Sequence, residues 1–424
     1  MGVVLGCIAD DFTGASDLAA ILARSGHKVG LRIGVPAPGE PLDEAAAFEV
    51  IALKCRTEPV ADAIAMTSAA ADWLLARGAR QLYWKYCSTF DSTPQGNIGP
   101  VAEALMNRLG AAQTIYCPAF PENGRSIYMG LLFVGDVPLA ESPMKDHPLT
   151  PMRDSNLMRL LAPQVKGKVS HLPWRVVSQG ADAIRTRLAE LAADGVVHVV
   201  PDAIRQSDLA AIAGAVQGFA LVTGGSALAL DMPKLLEARG LVDAATGDIE
   251  HPATGNGRLV LSGSCSAMTR AQVAAYSRSA ASWKLDPVAL ASDGEALETA
   301  RAWLRAQPVE ADKLVYATAE PAEVLAAQET LGRDRAGAVV EHALAELASE
   351  GFRLGVRRFV VAGGETSGAV TQALGVDRLS VGREIAPGVP WCFAGRDGDT
   401  FAMTLKSGNF GAEDFFARAL SLLD

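Results

Sequence analysis

Short runs of Val, Ile and Leu alternate along the chain with longer Ala-rich stretches in which apolar positions recur every three or four residues. The short runs read as strands buried on both faces and the longer stretches as crossover helices, a pattern that predicts parallel sheet covered by helix. In the first half the pattern predicts strands over 3–9, 48–53, 81–85, 114–117, 196–200 and 220–222, with helices over 14–25, 62–77, 98–109 and 181–193. A second series follows, with strands over 259–261, 313–317, 358–361 and 401–405 and helices over 267–278, 295–306, 336–350 and 368–373.

Between the two series, residues 242–258 lose this periodicity and gather Gly, Asp, Thr and Asn, as an exposed linker does. The expected fold class is α/β, with two lobes, each a mainly parallel sheet flanked by helices, and the ligand cleft between them. The lobes are expected over 1–245 and 258–424, joined by a linker over 246–257 that could act as a hinge. Residues 118–156 hold six Pro and little periodicity, so they read as a long ordered loop of functional kind.

Charge narrows the function classes. The 424 residues carry 38 Lys and Arg against 48 Asp and Glu, a net charge of -10 that repels phosphodiester backbones at long range. A cationic pocket for a small anion stays open, because fields over a few ångströms depend on particular side chains. The cysteines at 7, 55, 87, 117, 265 and 392 have no zinc or redox spacing, which predicts reduced, mostly buried thiols. The apolar start runs straight into Asp10 and Asp11 with no basic region before it, unlike a signal peptide. No apolar run reaches the roughly 18 residues of a membrane span. The expectation is a cytoplasmic protein with no nucleic-acid or membrane partner, and a homodimer as an open question.

Three segments of the first half place chemistry where a predicted strand ends. Asp10-Asp11-Phe12-Thr13-Gly14-Ala15-Ser16-Asp17 sits at a strand-to-helix junction, the place where open α/β sheets bind ligands. Its plainer reading is that Asp10 or Thr13 only caps the helix. Lys54-Cys55-Arg56-Thr57 follows the next strand, and Arg56 offers a planar fork for a carboxylate or phosphate. Lys85 to Asn97 crowds Lys85, Ser88, Thr89, Asp91 and Ser92 ahead of a helix whose free amides could hold an anion, a density suited to a polyhydroxylated ligand. In the long loop, Asn123, Arg125 and His147 add polar groups among rigid Pro residues, although a lone His beside Pro is more often structural.

The second half has another character. Ser262-Gly263-Ser264, Gly363-Gly364-Glu365-Thr366 and Lys406-Ser407-Gly408 each follow a predicted strand and remove side-chain bulk, so that phosphates could meet backbone amides. Three such turns suggest a nucleotide. Neither a P-loop nor a G-x-G-x-x-G at a strand-to-helix junction is present, and the protein-kinase motifs are missing.

Taken in order, IADDFTGASD, KCRT, KYCSTFDSTPQGNIGP, CPAFPENGR, FVGDVPLAESPMKDHPLTPMRDSN, TGGSALAL, LSGSCSAMT, GGETSGAV, APGVPW and LKSGNFG resemble the four-carbon acid sugar kinase family, and within it the 3-oxo-tetronate kinase branch. The resemblance runs through essentially the whole chain. It implies an N-terminal acid-sugar-binding domain, a C-terminal nucleotide-binding domain, and ATP-dependent phosphorylation of the terminal hydroxyl of a C4 sugar acid; Mg²⁺ is expected because ATP-using phosphotransferases employ it. Branches similar to threonate or erythronate kinases carry a shorter S-T-L-R-G-N type of segment where this chain has residues 88–97, and that departure favours the 3-oxo acid.

The resulting substrate set is Asp10, Asp11, Arg56, Lys85, Ser88, Thr89, Asn123 and Arg125, with Asp11 as the catalytic candidate and Asp91 as the alternative base. The nucleotide set is Ser262, Gly263, Ser264, Gly363, Gly364, Glu365, Thr366, Lys406 and Gly408. No metal ligand is assigned. Two rival classes are an oxidoreductase or aldolase of small hydroxy acids, and a non-catalytic sugar-acid sensor.

Overall fold

The computed structural model of the chain describes residues 2–37, 46–146, 150–245, 251–292 and 294–424. His147 and residues 246–250 of the expected linker lie outside them. The chain forms two compact units, Met1–Ile249 and Glu250–Asp424.

The N-terminal unit contains β1 (Leu5–Ala9), β2 (Val29–Ile33), β3 (Phe48–Ala52), β4 (Gln81–Lys85), β5 (Thr114–Cys117), β6 (Arg125–Tyr128), β7 (Leu131–Val134), β8 (Val137–Pro138), β9 (Lys168–Leu172), β10 (Val196–Pro201) and β11 (Leu221–Gly224). Within this unit the order β2-β3-β1-β4-β11-β5-β10-β9 is parallel throughout. Strands β1, β3 and β4 are buried along their whole length, including Glu49 of β3, which is ion-paired to Arg32 of β2 at 2.5 Å. Their register aligns Ala9 with both Ala52 and Lys85, so three strands end at one level.

Five of the predicted elements, 81–85, 98–109, 114–117, 181–193 and 295–306, have the observed bounds. Strands β2 and β9 were not expected. Gly30 and Arg32 interrupt β2, and β9 (Lys-Val-Ser-His-Leu) is mostly half-exposed, so neither shows the continuous apolar run that marked the others.

Residues 118–156 are more regular than a loop. Strands β6, β7 and β8 form a separate antiparallel sheet there. Its β6–β7 turn is held by Asp202, which follows β10 and is fully buried. The Asp202 carboxylate accepts the amides of Met129 at 3.0 Å, Gly130 at 2.9 Å and Trp174 at 2.9 Å, and lies 2.8 Å from His171 Nε2. Met129 adopts a left-handed φ of 55°, which that grip stabilises.

The C-terminal unit contains β12 (Gly257–Ser262), β13 (Ala281–Lys284), β14 (Lys313–Tyr316), β15 (Val356–Ala362), β16 (Arg378–Ala386), β17 (Val389–Arg396) and β18 (Asp399–Lys406). The order is β13-β14-β12-β15-β18-β17-β16, parallel as far as β18 and antiparallel beyond it. The meander β16–β17–β18 extends the expected 401–405 strand. Its second turn, Asp397-Gly398, has φ of 54° and 86°, the geometry that Asp-Gly hairpin turns favour, so its signal was present in the sequence. Trp391 of β17 is buried against the C-terminal helix Phe415–Ser421 and donates its Nε1 hydrogen to Ala419 O at 2.8 Å. Among the described residues no helix is long and apolar enough to cross a membrane.

Because Asp202 satisfies four donors at once, Asp202→Ala leaves them without their buried acceptor. Thermal or denaturant unfolding is expected to show a loss of about 3 kcal/mol, and a change within about 0.5 kcal/mol would contradict its role as the pin of this sheet.

Candidate functional site

The site in the N-terminal unit begins with backbone. Asp10 N–H donates to Lys85 O at 3.1 Å, and Asp10 O accepts the amides of Cys55 and Arg56 at 3.0 and 3.2 Å. The residues just past β1, β3 and β4 are therefore stitched together before any side chain acts. Asp11 is the N-cap of the helix Phe12–Ala23, in extended conformation, and its Oδ1 accepts Gly14 N–H at 2.8 Å. The cap is thus Asp11, and not Asp10 or Thr13, the residues the capping reading named.

Capping is only part of what Asp11 does. Arg56 donates Nε to Asp10 Oδ2 at 2.7 Å and Nη2 to Asp10 Oδ1 at 2.9 Å, a bidentate pair, and Nη2 also lies 2.9 Å from Asp11 Oδ1. Thr13 Oγ1 donates to Asp11 Oδ2 at 3.0 Å. Lys85 is buried, donates Nζ to Tyr86 O at 3.1 Å, and stands beside Gly14, where a Cβ would sit 2.6 Å from Nζ and would collide with Asp11 Oδ1. Glycine is required there by the close approach of the two charged groups, not by backbone conformation.

The two carboxyls respond in opposite directions. Burial pushes Asp10 above the usual carboxylate range against the pull of Arg56. Burial also acts on Asp11, but Arg56, Lys85, the Gly14 amide and the Thr13 hydroxyl outweigh it and hold the carboxyl below that range. Arg56 remains a cation, since Asp10 and Asp11 more than offset its desolvation. Asp11 is about a quarter exposed while Asp10 is buried, so Asp11 is the carboxylate that a ligand can touch.

After β4 the chain adds a second polar group. Thr89 Oγ1 donates to Asp91 Oδ1 at 2.6 Å, and Cys87 Sγ lies 2.9 Å from Thr89 Oγ1. Burial and the neighbouring Asp91 push the Cys87 thiol up to about 12, which keeps it protonated. Phe90, fully buried between them, takes a left-handed φ of 51°. Ser88 is half-buried.

The helix amides beyond are less open than the sequence suggests. Asn97 precedes Ile98–Leu109 without capping it by a side-chain hydrogen bond, and Gly99 N–H is already taken by Gln164 Oε1 at 3.1 Å. Asn97 instead reaches back, donating Nδ2 to the carbonyls of Cys55 at 2.7 Å, Arg56 at 3.2 Å and Glu58 at 3.3 Å. It supports the loop that carries Arg56, and its signal in the sequence was only a polar residue at a helix start.

Asn123 and Arg125 form a group of their own. Arg125 Nη1 donates to Asn123 O, while Asn123 Nδ2 and Arg125 Nε are buried without a hydrogen-bond partner among the described residues. The adjacent Glu122 pairs with Arg24 at 2.9 Å, at the opposite end of the Phe12–Ala23 helix from Asp11.

In the C-terminal unit the three glycine turns meet. The register aligns Ser262 with Ala362 and Ala362 with Lys406. Gly263 N–H donates to Ala362 O at 3.0 Å and Gly363 N–H to Lys406 O at 2.8 Å. Cβ atoms at Gly263 and Gly363 would crowd Thr366 Oγ1, the second at 2.9 Å, and one at Gly408 would lie 2.6 Å from Ser264 Oγ. Two helices begin here, Ala267–Tyr276 and Gly364–Ala373, and their first-turn amides have no partner within the helix. Gly364 and Glu365 are exposed at the start of the second.

Not every candidate faces outward. Ser262 is fully buried and shares a hydrogen bond with Thr318 Oγ1 at 2.7 Å; Thr318 also donates to Ser264 O at 2.8 Å. Lys406 is likewise fully buried beneath the Gly408 turn. Gln272 holds the following turn by donating Nε2 to the carbonyls of Phe410 at 3.0 Å and Ala412 at 2.9 Å. Thr318 and Gln272 support the turns, and only the folded strand ends reveal it.

Two clusters of this kind, one built of paired charges and one of bare backbone, match two family models: a sugar-binding N-terminal domain over residues 5–232 and a nucleotide-binding C-terminal domain over 259–416. The chain belongs to the four-carbon acid sugar kinase family. It is 50% identical to a 3-oxo-tetronate kinase of Burkholderia multivorans, across 99% of this chain and 97% of that protein. It is 48% identical to a 3-oxo-tetronate kinase of Pseudomonas fluorescens, with the same coverage of 99% and 97%. Among solved structures, one from Haemophilus influenzae superposes with a TM-score of 0.79 at 43% identity, over 99% of this chain and 100% of that one.

The support that Asn97 gives the Arg56 loop is testable by itself. Asn97→Ala is expected to weaken binding of a four-carbon sugar acid about tenfold by calorimetric titration, through misplacement of the guanidinium. An unchanged affinity in the folded variant would remove Asn97 from the support of the site.

Proposed function

We propose that this protein transfers the γ-phosphoryl group of ATP to the C4 hydroxyl of 3-oxo-tetronate, giving 3-oxo-tetronate 4-phosphate and ADP. The division of labour is a sugar-acid unit over about residues 1–245 and a nucleotide unit over about 258–424, in keeping with the two family models. The observation that carries the reading is the Asp10–Arg56–Asp11 cluster beside Lys85, a balanced set of two anions and two cations at adjacent strand ends.

In the reaction the C4 oxygen bonds to the γ-phosphorus, the bond from that phosphorus to the β–γ bridging oxygen breaks, and the hydroxyl proton departs. Loose phosphoryl transfer needs mainly alignment and charge screening, with little demand for a strong base. Arg56 commits Nε and Nη2 to the aspartates, which leaves Nη1 and the Lys85 ammonium to hold the substrate carboxylate. Ser88 donates to the oxo oxygen, and Thr89, whose hydrogen goes to Asp91, accepts from a substrate hydroxyl.

Asp11, held below the usual carboxylate range, orients the C4 hydroxyl by accepting its hydrogen bond and is a weak base. Asp91 is the alternative proton acceptor, though it is already engaged by Thr89. The turns at Gly263, Gly363 and Gly408 would receive the phosphates on main-chain amides. Among the described residues no group of three or more His, Cys, Asp or Glu could hold a metal ion. Mg²⁺, if it arrives with the triphosphate, would supply charge neutralisation, and no residue of this chain is assigned to hold it.

Coupled detection of ADP on adding C4 acids tests the reading. Turnover is expected with 3-oxo-tetronate at a kcat/KM at least about tenfold above that with threonate or erythronate. ATP turnover confined to threonate or erythronate would replace the substrate, and sugar-acid binding without any ADP release would favour a sensor. Asp11→Asn should lower kcat by about 10²-fold or more with little effect on ATP affinity. Near-normal turnover in that variant would remove Asp11 from the chemistry.

A further inference from the structure

Lys406 ends β18 and is fully buried. Its Nζ lies 3.2 Å from Thr269 Oγ1, 2.9 Å from Ser407 O and 2.8 Å from Gly408 O, so the three hydrogens of its protonated form have three neutral acceptors. Thr269 Oγ1 in turn donates to Gly408 O at 2.7 Å and accepts from Ser266 Oγ at 3.1 Å. The ring of Phe415, on the C-terminal helix, is centred 6.0 Å away. The groups facing the ammonium from the Ala267–Tyr276 helix, the turn after β18 and the C-terminal helix are thus a hydroxyl, two carbonyls and an aromatic face. Among the described residues no carboxylate pairs with it, and burial pushes its pKa down to about 7.

A cation buried without an anion is costly, and proteins seldom keep one unless a counter-charge arrives. Gly408, whose carbonyl Lys406 holds, abuts the turn of Ser264 and Ser266, where a Cβ would sit 2.6 Å and 2.9 Å from the two hydroxyls. The ammonium therefore stands one backbone layer behind the turns that face the opening of two helices.

We propose that Lys406 is a positioning residue for the nucleotide: it presses the Gly408 turn onto the Ser264 turn from behind and supplies a buried positive charge whose counter-ion is the triphosphate, so that nucleotide binding draws a proton onto it from solvent. This rests on the assignment of the C-terminal unit to the nucleotide. The proton adds to the Nζ lone pair and no other bond changes. Above neutrality the free protein holds this amine largely uncharged, and bound phosphate raises its pKa. Affinity consequently falls as pH rises above about 7 and levels off below it, where the free protein already carries the proton.

Calorimetry of ADP binding to the full chain at about pH 8, where ADP is fully ionised, in Tris and in HEPES gives the proton count. The wild-type protein is expected to take up close to one proton, about 0.5 or more. Lys406→Met should abolish the uptake and weaken binding about tenfold. Lys406→Arg, with a permanent charge, should also show no uptake, yet bring affinity back to within about threefold of wild type and flatten its dependence on pH. Wild-type binding with no proton uptake overturns the role of Lys406 alone, as does equal uptake in wild type and Lys406→Met. Should Lys406→Met fail to fold, the wild-type count and the arginine variant decide. A folded wild-type protein that binds no ADP overturns the nucleotide assignment and this inference together.

Discussion

Two carboxylates on consecutive residues at a strand end repel each other, by about 4 kcal/mol for unit charges 4 Å apart at an effective dielectric constant near 20. In this protein a single guanidinium makes the arrangement tenable. Arg56 spans both aspartates, and the chain invests heavily in placing it: the Asp10 carbonyl just past β1 accepts its amide, and Asn97 grips three carbonyls of its loop. The same guanidinium separates the roles of the neighbours. Asp10 is spent as its buried counter-ion, which leaves Asp11, better exposed and more firmly ionised, to meet a ligand.

The C-terminal unit solves a different recognition problem with the opposite means. A polyphosphate presents many equivalent oxygens, and main-chain amides freed of side chains can approach it from several directions. The glycines at 263, 363 and 408 are needed because each neighbouring turn fills the space a Cβ would take. Ser262, Thr318, Gln272 and Lys406 serve the turns from the interior. The Lys406 charge behind these turns is therefore set back from the surface, whereas in the N-terminal unit Arg56 and Asp11 are partly exposed.

Legibility followed local physics. The strands that carry Asp10, Arg56 and Lys85 were readable because burial on both faces writes a continuous apolar run. Strands β2 and β9 escaped because neither carries a continuous apolar run, and the β6–β8 sheet because its β6–β7 turn is held by Asp202, which lies far along the chain. The Asp397-Gly398 turn was present in the sequence but overshadowed by the expectation of alternating strand and helix. Asn97 and Thr318 could not be recognised by position, because their hydrogen bonds reach tens of residues along the chain.

Taken alone, the order of residues determined the α/β class, the motifs that mark the family, and the junctions where chemistry would collect, because these depend on periodicity and on what directly follows a strand. Which groups work together was decided only by the tertiary structure. Register brought Asp10, Arg56 and Lys85 to one level, buried Ser262 and Lys406 behind the turns they adjoin, and set Asn123 and Arg125 in a cluster of their own. The reason is that hydrogen bonds and ion pairs are made at about 3 Å, a separation that sequence distance does not encode.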